Sequence, residues 1–494
     1  MATLSRSTLP AVPLIGASAP DATGIVHVGL GNFHRAHAAV YTARAIAAAG
    51  GDWGIVGVAN RNRRVVDALA AQDHLYSVLE MSVEGERADV VDVHRRTLVA
   101  ADQTDALLDE IAAPSTRIVT LTVSEHGYHR NPRTGDLDAD SDAVRADLAD
   151  PENPRTTIGQ LAAGLARRLR AGGAPVTVLS CDNLQSAGRT TRTVVGQYLT
   201  AAGAPAEVVD WVASSVTFPN AMVDRIVPGT TDATRARVRA VLGVDDAVPV
   251  PAEAFSMWVV EDDFAAGRPA WEQAGAVFSS EVEAYELVKL RLLNGSHSLI
   301  AYLGALDGQE TIAASRAQDF VARSVDAAIR DEYLPSIELP SGFDPDSYVA
   351  QLFDRWANAA LGDRTARVGS DGSVKLLQRV PGPALRMLDL GLVPQQLALT
   401  VAGWICCVCP PGGFDPGPVA GAMVEPARER LARATAGATD VRSHVEAVMR
   451  GGFFPTELAG RDEFTRRVAD LAQLVVDHGV QQAAVEALAS GRPS

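Results

Sequence analysis

Between residues 24 and 59 the chain passes from an apolar run to a glycine-rich turn, a helical pattern and a second apolar run, and this order restricts its fold more than anything else. Gly24-Ile25-Val26-His27-Val28 reads as a short buried strand. Gly29-Leu30-Gly31-Asn32-Phe33-His34-Arg35-Ala36-His37 follows directly, an Ala-rich helical pattern runs from about Ala38 to Ala49, and Gly54 to Ala59 is the next strand. Strand, turn, helix and strand over so short a span make the first βαβ unit of a dinucleotide-binding fold. In such a unit Gly29 gives the tight turn, Gly31 lets the backbone approach a pyrophosphate, and the helix N-terminus supplies amide donors. The third glycine of the usual fingerprint is missing, with His34 in its place. A plain strand-to-helix turn is the competing reading. The candidate cofactor contacts here are Gly29, Gly31, Asn32, Phe33, His34 and Arg35.

The second strand ends in Asn60-Arg61-Asn62-Arg63-Arg64, where an acid for the adenosine ribose usually stands. Asp52 precedes the strand instead. Asn60 and Arg61 are therefore cofactor candidates in a turn with room for a 2′-phosphate, so NADP stays open beside NAD. The alternative is a solvated basic turn opening a helix from Val65 to Ala71. Two further strands, Arg117 to Val123 and Pro175 to Ser180, end in Ser124-Glu125 and Cys181-Asp182-Asn183. Ligands of parallel sheets gather at the carboxyl ends of strands, which nominates Ser124, Glu125 and Asn183. Helix capping is the commoner fate of such residues.

A chain of 494 residues exceeds one hydrophobic core. From about Val282 the pattern turns helical, including Ser315 to Tyr333, Pro394 to Cys407 and Arg466 to Ala489. The expected architecture is α/β: a Rossmann-type dinucleotide-binding domain over residues 1–281 and a mostly α-helical substrate and catalytic domain over 282–494. The net charge of −16 argues against nucleic acid and anionic membrane as partners. No run approaches the ~20 apolar residues of a membrane span, and the N-terminus lacks the pattern of a signal peptide. Cys181, Cys406, Cys407 and Cys409 lack zinc-ligand spacing and read as buried thiols of a reducing cytosol, with no metal. Asp224 forms either a structural pair with Arg225 or a contact to a polyhydroxy ligand. Arg367 to Lys375 reads as a Gly/Ser/Asp turn flanked by two cations, either solvated or clamped over a polar ligand.

Glu286 to His297 carries the chemistry. On a helix of roughly 100° per residue, with Lys289 at zero, Glu286 falls near ~60°, His297 near ~80° and Asn294 near ~140°. A carboxylate, an amine, an imidazole and an amide thus share one arc among Leu287, Val288, Leu290, Leu292 and Leu293. A helix apolar all round is expected to be buried, and desolvation moves a buried Lys toward a base that works near neutral pH. The plainer reading is a Lys289–Glu286 ion pair at i, i+3 with Asn294 and His297 satisfied in the core.

Five motifs in order resemble the polyol-specific long-chain dehydrogenase/reductase family, which includes mannitol 2-dehydrogenase, fructuronate and tagaturonate reductases and arabinitol dehydrogenase. They are Gly-x-Gly-x-Phe-His-Arg-Ala-His at Gly29 to His37, the Thr120, Thr122, Glu125, Gly127 and Tyr128 set, Ser-Cys-Asp-Asn at Ser180 to Asn183, Met-Val-Asp-Arg-Ile at Met222 to Ile226, and Lys-x4-Asn-x2-His at Lys289, Asn294 and His297. The resemblance implies a metal-independent, NAD(P)-dependent oxidoreductase. In it Lys289 is the general base, Asn183 and Asn294 hold the substrate oxygen, and Glu286 passes the proton on. His297, Asp224, Arg367 and Lys375 then orient the rest of the substrate. One departure stands out: mannitol dehydrogenases that this chain resembles carry an Asp just past the second strand, absent at Asn60 to Arg64, which bears on NAD preference.

The expected substrate is D-mannitol, oxidised to D-fructose. Phe218-Pro219-Asn220 and Asp182-Asn183-Leu184 look more like mannitol 2-dehydrogenase, whereas Asn294-Gly295-Ser296-His297-Ser298 looks more like the hexuronate reductases. Fructuronate or tagaturonate reduction and arabinitol oxidation are the alternatives. A different class, a nucleotide-binding regulator without turnover, would not require Lys289, Asn294 and His297 together. Members of the family are often monomeric, and a cytoplasmic monomer is expected.

Overall fold

The computed structural model describes residues 2–131 and 134–491. The chain forms two compact units, residues 1–283 and 284–494.

The first unit is built on a six-stranded sheet of β1 (Thr23–Val28), β2 (Gly54–Ala59), β3 (His94–Val99), β4 (Ile118–Leu121), β5 (Val176–Ser180) and β6 (Val216–Thr217), in the order β3-β2-β1-β4-β5-β6. Every neighbouring pair is parallel, so all six carboxyl ends lie along one edge. This is the Rossmann-type order, with its reversal between β1 and β4. The near-continuous apolar character of these strands follows from burial on both faces. Ile25, Ile55, Ile118 and Leu179 join the core on one side, while Val26, Val56, Val119 and Val178 join the core on the other, as a period of two requires.

Two details differ from the sequence reading. A short helix, Asn32–Ala36, starts at the glycine turn and breaks at His37 before Ala38–Ala49. β4 ends at Leu121: the Thr122 amide still donates to the Val28 carbonyl, but those of Val123 and Ser124 turn to the Asp182 carboxylate. Local patterning also gave no hint of two smaller sheets. One joins the hairpin Tyr76–Ser82 and Gly85–Val91 to Val250–Glu253, and the other joins Ala221–Asp224, Met257–Val260 and Val277–Phe278.

The second unit is helical. Gln395–Val408 is buried at all fourteen positions and packs against Ser296–Leu306 and Asp462–His478, which explains its apolar circumference. The stretch expected as one helix from Ser315 is Ile312–Arg316, Asp319–Ala327 and a π-helical turn Ala328–Tyr333. The last expected helix is two, Asp462–His478 and Val480–Ser490, parted at Gly479, whose φ of +85° a side chain resists. Residues 367–375 are not an open turn. Helices Thr365–Gly369 and Gly372–Arg379 run into them from both sides and leave only Ser370-Asp371 between. Cys181, Cys406 and Cys407 are buried thiols and Cys409 is half-buried. Among the described residues no helix is long and apolar enough to cross a membrane, and no group of three or more metal-ligating side chains converges.

Candidate active site

The loop after β1 is held from both neighbouring strands. The Gly29 and Leu30 amides donate to the Val58 carbonyl at 2.8 and 3.0 Å, and Thr122 Oγ1 donates to the Gly29 carbonyl at 2.7 Å. His27 Nε2 lies 3.0 Å from the same carbonyl and its Nδ1 lies 2.8 Å from Thr120 Oγ1. Burial lowers His27 to about 3, so it is a neutral ring whose Nε2–H donates and whose Nδ1 accepts. The two threonines of the Thr-x-Thr motif thus brace the glycine turn.

The two glycines have different physical reasons. At Gly29 φ is +105° and an added Cβ would lie 2.0 Å from the Thr122 carbonyl oxygen, so the fold itself demands glycine. At Gly31 φ is −102° and the nearest atom to an added Cβ is 3.7 Å away. Nothing in the protein requires glycine there. Its missing side chain leaves open backbone beside a helix start that no side chain caps, a cradle of the kind a pyrophosphate fills.

The side chains next to it serve the interior. Asn32 Nδ2 donates to the Pro228 carbonyl and Thr230 Oγ1 at 3.2 and 3.1 Å, and its Oδ1 accepts from Arg35. Phe33 stacks on His37. His34 is buried, stacked on His27 with its Nε2 3.1 Å from that of His94. Burial first, and then neighbouring positive charge, keeps His34 and His94 well below the usual imidazole range. Arg35 is buried and donates to the Gly31 and Val248 carbonyls. The expectation that His34 and Arg35 reach a cofactor is therefore corrected for their side chains, which point into the core. Main chain is what this loop offers a ligand. Asn60 and Arg61 are exposed at the carboxyl end of β2, in a turn whose Arg63 pairs with Asp102.

Asp182 organises the edge between β4 and β5. It is 8% exposed and accepts the amides of Val123 and Ser124 at 2.9 and 2.8 Å and the Tyr128 hydroxyl at 2.7 Å. Burial pushes its carboxyl up while these three bonds pull it back down. Ser124 is thereby held at φ +62°, a conformation non-glycine residues rarely adopt. Ser124, Glu125 and Asn183 are all exposed at this edge. The helices that follow start at Ser124 and Ser186, neither of which caps its helix by side chain. Asp182 lay inside a recognised motif without an assigned role, because nothing local shows which amides it collects. Asp224 ends the strand Ala221–Asp224 and is buried. The neighbouring Arg225 pairs with Glu80 at 2.6 Å and donates to the Glu253 and Ala36 carbonyls.

The helix Val282–Val288 widens into a π-helical turn, Lys289–Gly295, and resumes as Ser296–Leu306. The i→i+5 spacing advances each residue through a smaller angle than an α-helix. The angles computed for Asn294 and His297 at 100° per residue therefore do not hold, while Glu286 keeps its place one turn before Lys289. The turn is also less enclosed than expected. Val288, Leu292, Leu293, Gly295 and Ser296 are buried, whereas Lys289, Asn294 and His297 are half-buried, as are Leu287, Leu290 and Arg291. Lys289 and Asn294 lie within the widened turn, His297 lies just past it and packs its ring against Trp356, and Glu286 is buried in the helix before it. π-turns inside α-helices are rare and concentrate at functional sites. Gly295 is required where it stands, since an added Cβ would lie 2.4 Å from the Tyr333 hydroxyl.

Both cations predicted to flank the 367–375 segment already have partners. Arg367 pairs with Asp363, one turn away. Lys375 Nζ donates to the Ser370 and Val368 carbonyls at 2.7 and 3.2 Å. Burial, and after it the charge of Arg379, lowers this amine.

Comparison with known proteins gives the same two-part division. Residues 23–273 match the model of the mannitol dehydrogenase Rossmann domain, and residues 281–439 match that of the mannitol dehydrogenase C-terminal domain. D-mannonate oxidoreductase of Escherichia coli (strain K12) is 37% identical, covering 82% of this chain and 84% of its own. A mannitol 2-dehydrogenase of Aspergillus fumigatus is 35% identical over 93% and 92% of the two chains. The solved Pseudomonas fluorescens mannitol 2-dehydrogenase, a ternary complex with NAD and D-mannitol, superimposes with a TM-score of 0.85 at 33% identity over 99% of both chains.

Proposed function

This chain belongs to the mannitol dehydrogenase family, and from that premise we propose that it oxidises D-mannitol to D-fructose with NAD as hydride acceptor. The open backbone at Gly31 supports a bound pyrophosphate. NAD, when bound, accepts the hydride that leaves the carbinol carbon. The chain's own task is the proton and the oxygen. Lys289 takes the hydroxyl proton at Nζ as the C–H bond breaks and the C=O bond forms. Asn183 and Asn294 donate to the oxygen while it carries developing charge, a contribution of about 3 kcal/mol per well-placed donor. Glu286, one turn before Lys289, passes the proton onward. His297 and Asp224 orient the remaining hydroxyls, while Arg367 and Lys375 are held by partners in their own segment.

The observation that carries the choice of a neutral polyol is the engagement of the two candidate cations. A uronate carboxylate favours a bidentate arginine, and at Arg367 it would compete with Asp363. Lys375 likewise spends its amine on two carbonyls. A polyol asks for neither charge. The likeness to D-mannonate oxidoreductase supports the second reading, reduction of fructuronate to mannonate. The deciding experiment compares kcat/KM for D-mannitol with that for D-mannonate, each with NAD. Turnover of the acid alone would replace the first reading with the second, and NADH binding without turnover on either would favour a regulator.

A further inference from the structure

Arg379 presents an energetic problem that its surroundings answer. It closes the helix Gly372–Arg379, and although the residue is half-buried its guanidinium is turned inward, where burial lowers it below its ordinary range. Among the described residues it has no carboxylate partner. A guanidinium taken out of water without a counter-charge is costly, so its bonds must be worth that cost. It makes two, both from Nη1 to the segment that carries Lys289: 2.9 Å to the Asn294 carbonyl and 2.8 Å to Ser298 Oγ.

These acceptors sit where the widened turn returns to α spacing. The junction follows Gly295, and the Asn294 carbonyl, which also accepts from Ser298 Oγ at 3.5 Å, takes a bond from a side chain eighty-five positions away. The other flank is filled by Tyr333, whose hydroxyl lies against Gly295. The widened turn is thus held between Arg379 on one side and Tyr333 on another.

We propose that Arg379 is a positioning residue for the reaction: by clamping the Asn294 carbonyl and Ser298 it stabilises the π-turn and fixes the spacing of Lys289, Asn294 and His297. This rests on Lys289 being the base. Loss of the clamp lets the turn relax toward ordinary α spacing, which rotates Asn294 and His297 relative to Lys289. The signature is a fall in kcat with cofactor binding untouched, since the glycine turn belongs to the other unit.

The test measures kcat and KM for D-mannitol, NADH affinity by fluorescence and thermal stability for Arg379→Met, Arg379→Lys and Ser298→Ala. Arg379→Met is expected to lose about 100-fold in kcat, the scale of a misplacement of order 1 Å, with NADH affinity within about twofold of the parent. Arg379→Lys, which keeps a donor for the carbonyl, recovers part of that loss. Ser298→Ala, which keeps the charge and removes one acceptor, loses less than Arg379→Met. If Arg379→Met does not fold, the other two decide: full kcat in both overturns the proposal, as does a loss of NADH affinity that parallels kcat. Lys289→Ala in parallel separates the claims. An active Lys289 variant ends the base assignment, whereas an inactive one beside a fully active Arg379→Met overturns only the positioning role.

Discussion

Alanine at Gly31 and alanine at Gly29 should have opposite effects, although the two residues lie in one tripeptide. At Gly29 a methyl group would lie 2.0 Å from the Thr122 carbonyl oxygen in a backbone with φ +105°. Strain at positive φ costs about 1–3 kcal/mol and overpacking about as much again, so Gly29→Ala should lower stability by roughly 3 kcal/mol or more and shift the melting temperature by several degrees. At Gly31 the methyl group meets nothing closer than 3.7 Å, at φ −102° and ψ −175°. That conformation suits any residue, so Gly31→Ala should leave stability within about 1 kcal/mol and can even raise it by restricting the unfolded chain. The cofactor would feel the change. A pyrophosphate displaced from the backbone loses on the order of one hydrogen bond to a charged group, about 1.5–3 kcal/mol, which is roughly 10- to 100-fold in Kd. NADH fluorescence titration and a thermal melt on the same two proteins read both quantities. A Gly31→Ala protein that binds NADH like the parent would remove the pyrophosphate from this turn. One that melts with Gly29→Ala would show that Gly31 serves packing after all.

Lys289→Ala should keep NADH affinity, lose most of its rate near neutral pH and regain part of it at high pH, where hydroxide substitutes for the base; unchanged kcat contradicts the assignment. Asp182→Ala strands the amides of Val123 and Ser124 and a Tyr128 hydroxyl bond. It should cost about 3 kcal/mol in urea unfolding and weaken NADH binding together with kcat, and a neutral result would deny Asp182 its organising role. His27, His34 and His94 are buried with folded pKa values depressed, His27 to about 3. Since the unfolded chain protonates these rings near 6.5, their contribution is present above that pH and lost as pH falls below it. With three rings the loss is about 4 kcal/mol by pH 5.5, and a urea midpoint that stays level from pH 7.5 to 5.5 refutes it.

Local sequence was enough for the parallel sheet, the glycine turn and the division into α/β and helical parts. Each depends on a short-range signal: period-two burial on both faces of β1, β2, β4 and β5, the glycines that follow β1, and apolar helical runs such as Gln395–Val408. The trio proposed for the chemistry, Lys289, Asn294 and His297, was legible as a motif, but the widened backbone that carries it was not. A wheel assumes one angular increment, and the increment changes at Lys289, where the helix widens into a turn that lies against Tyr333 and takes a bond from Arg379. His34 and Arg35 looked like ligand contacts from their place beside the glycines, yet the core required them, through His94 and the Val248 carbonyl. Likewise Arg225 pairs with Glu80, and Asp182 reaches back to Val123 and Ser124. Pattern and propensity act over a few residues and so specify which elements form. The partner that satisfies a buried charge or a carbonyl at a widened turn comes from dozens to hundreds of positions away, and only the folded chain brings the two together.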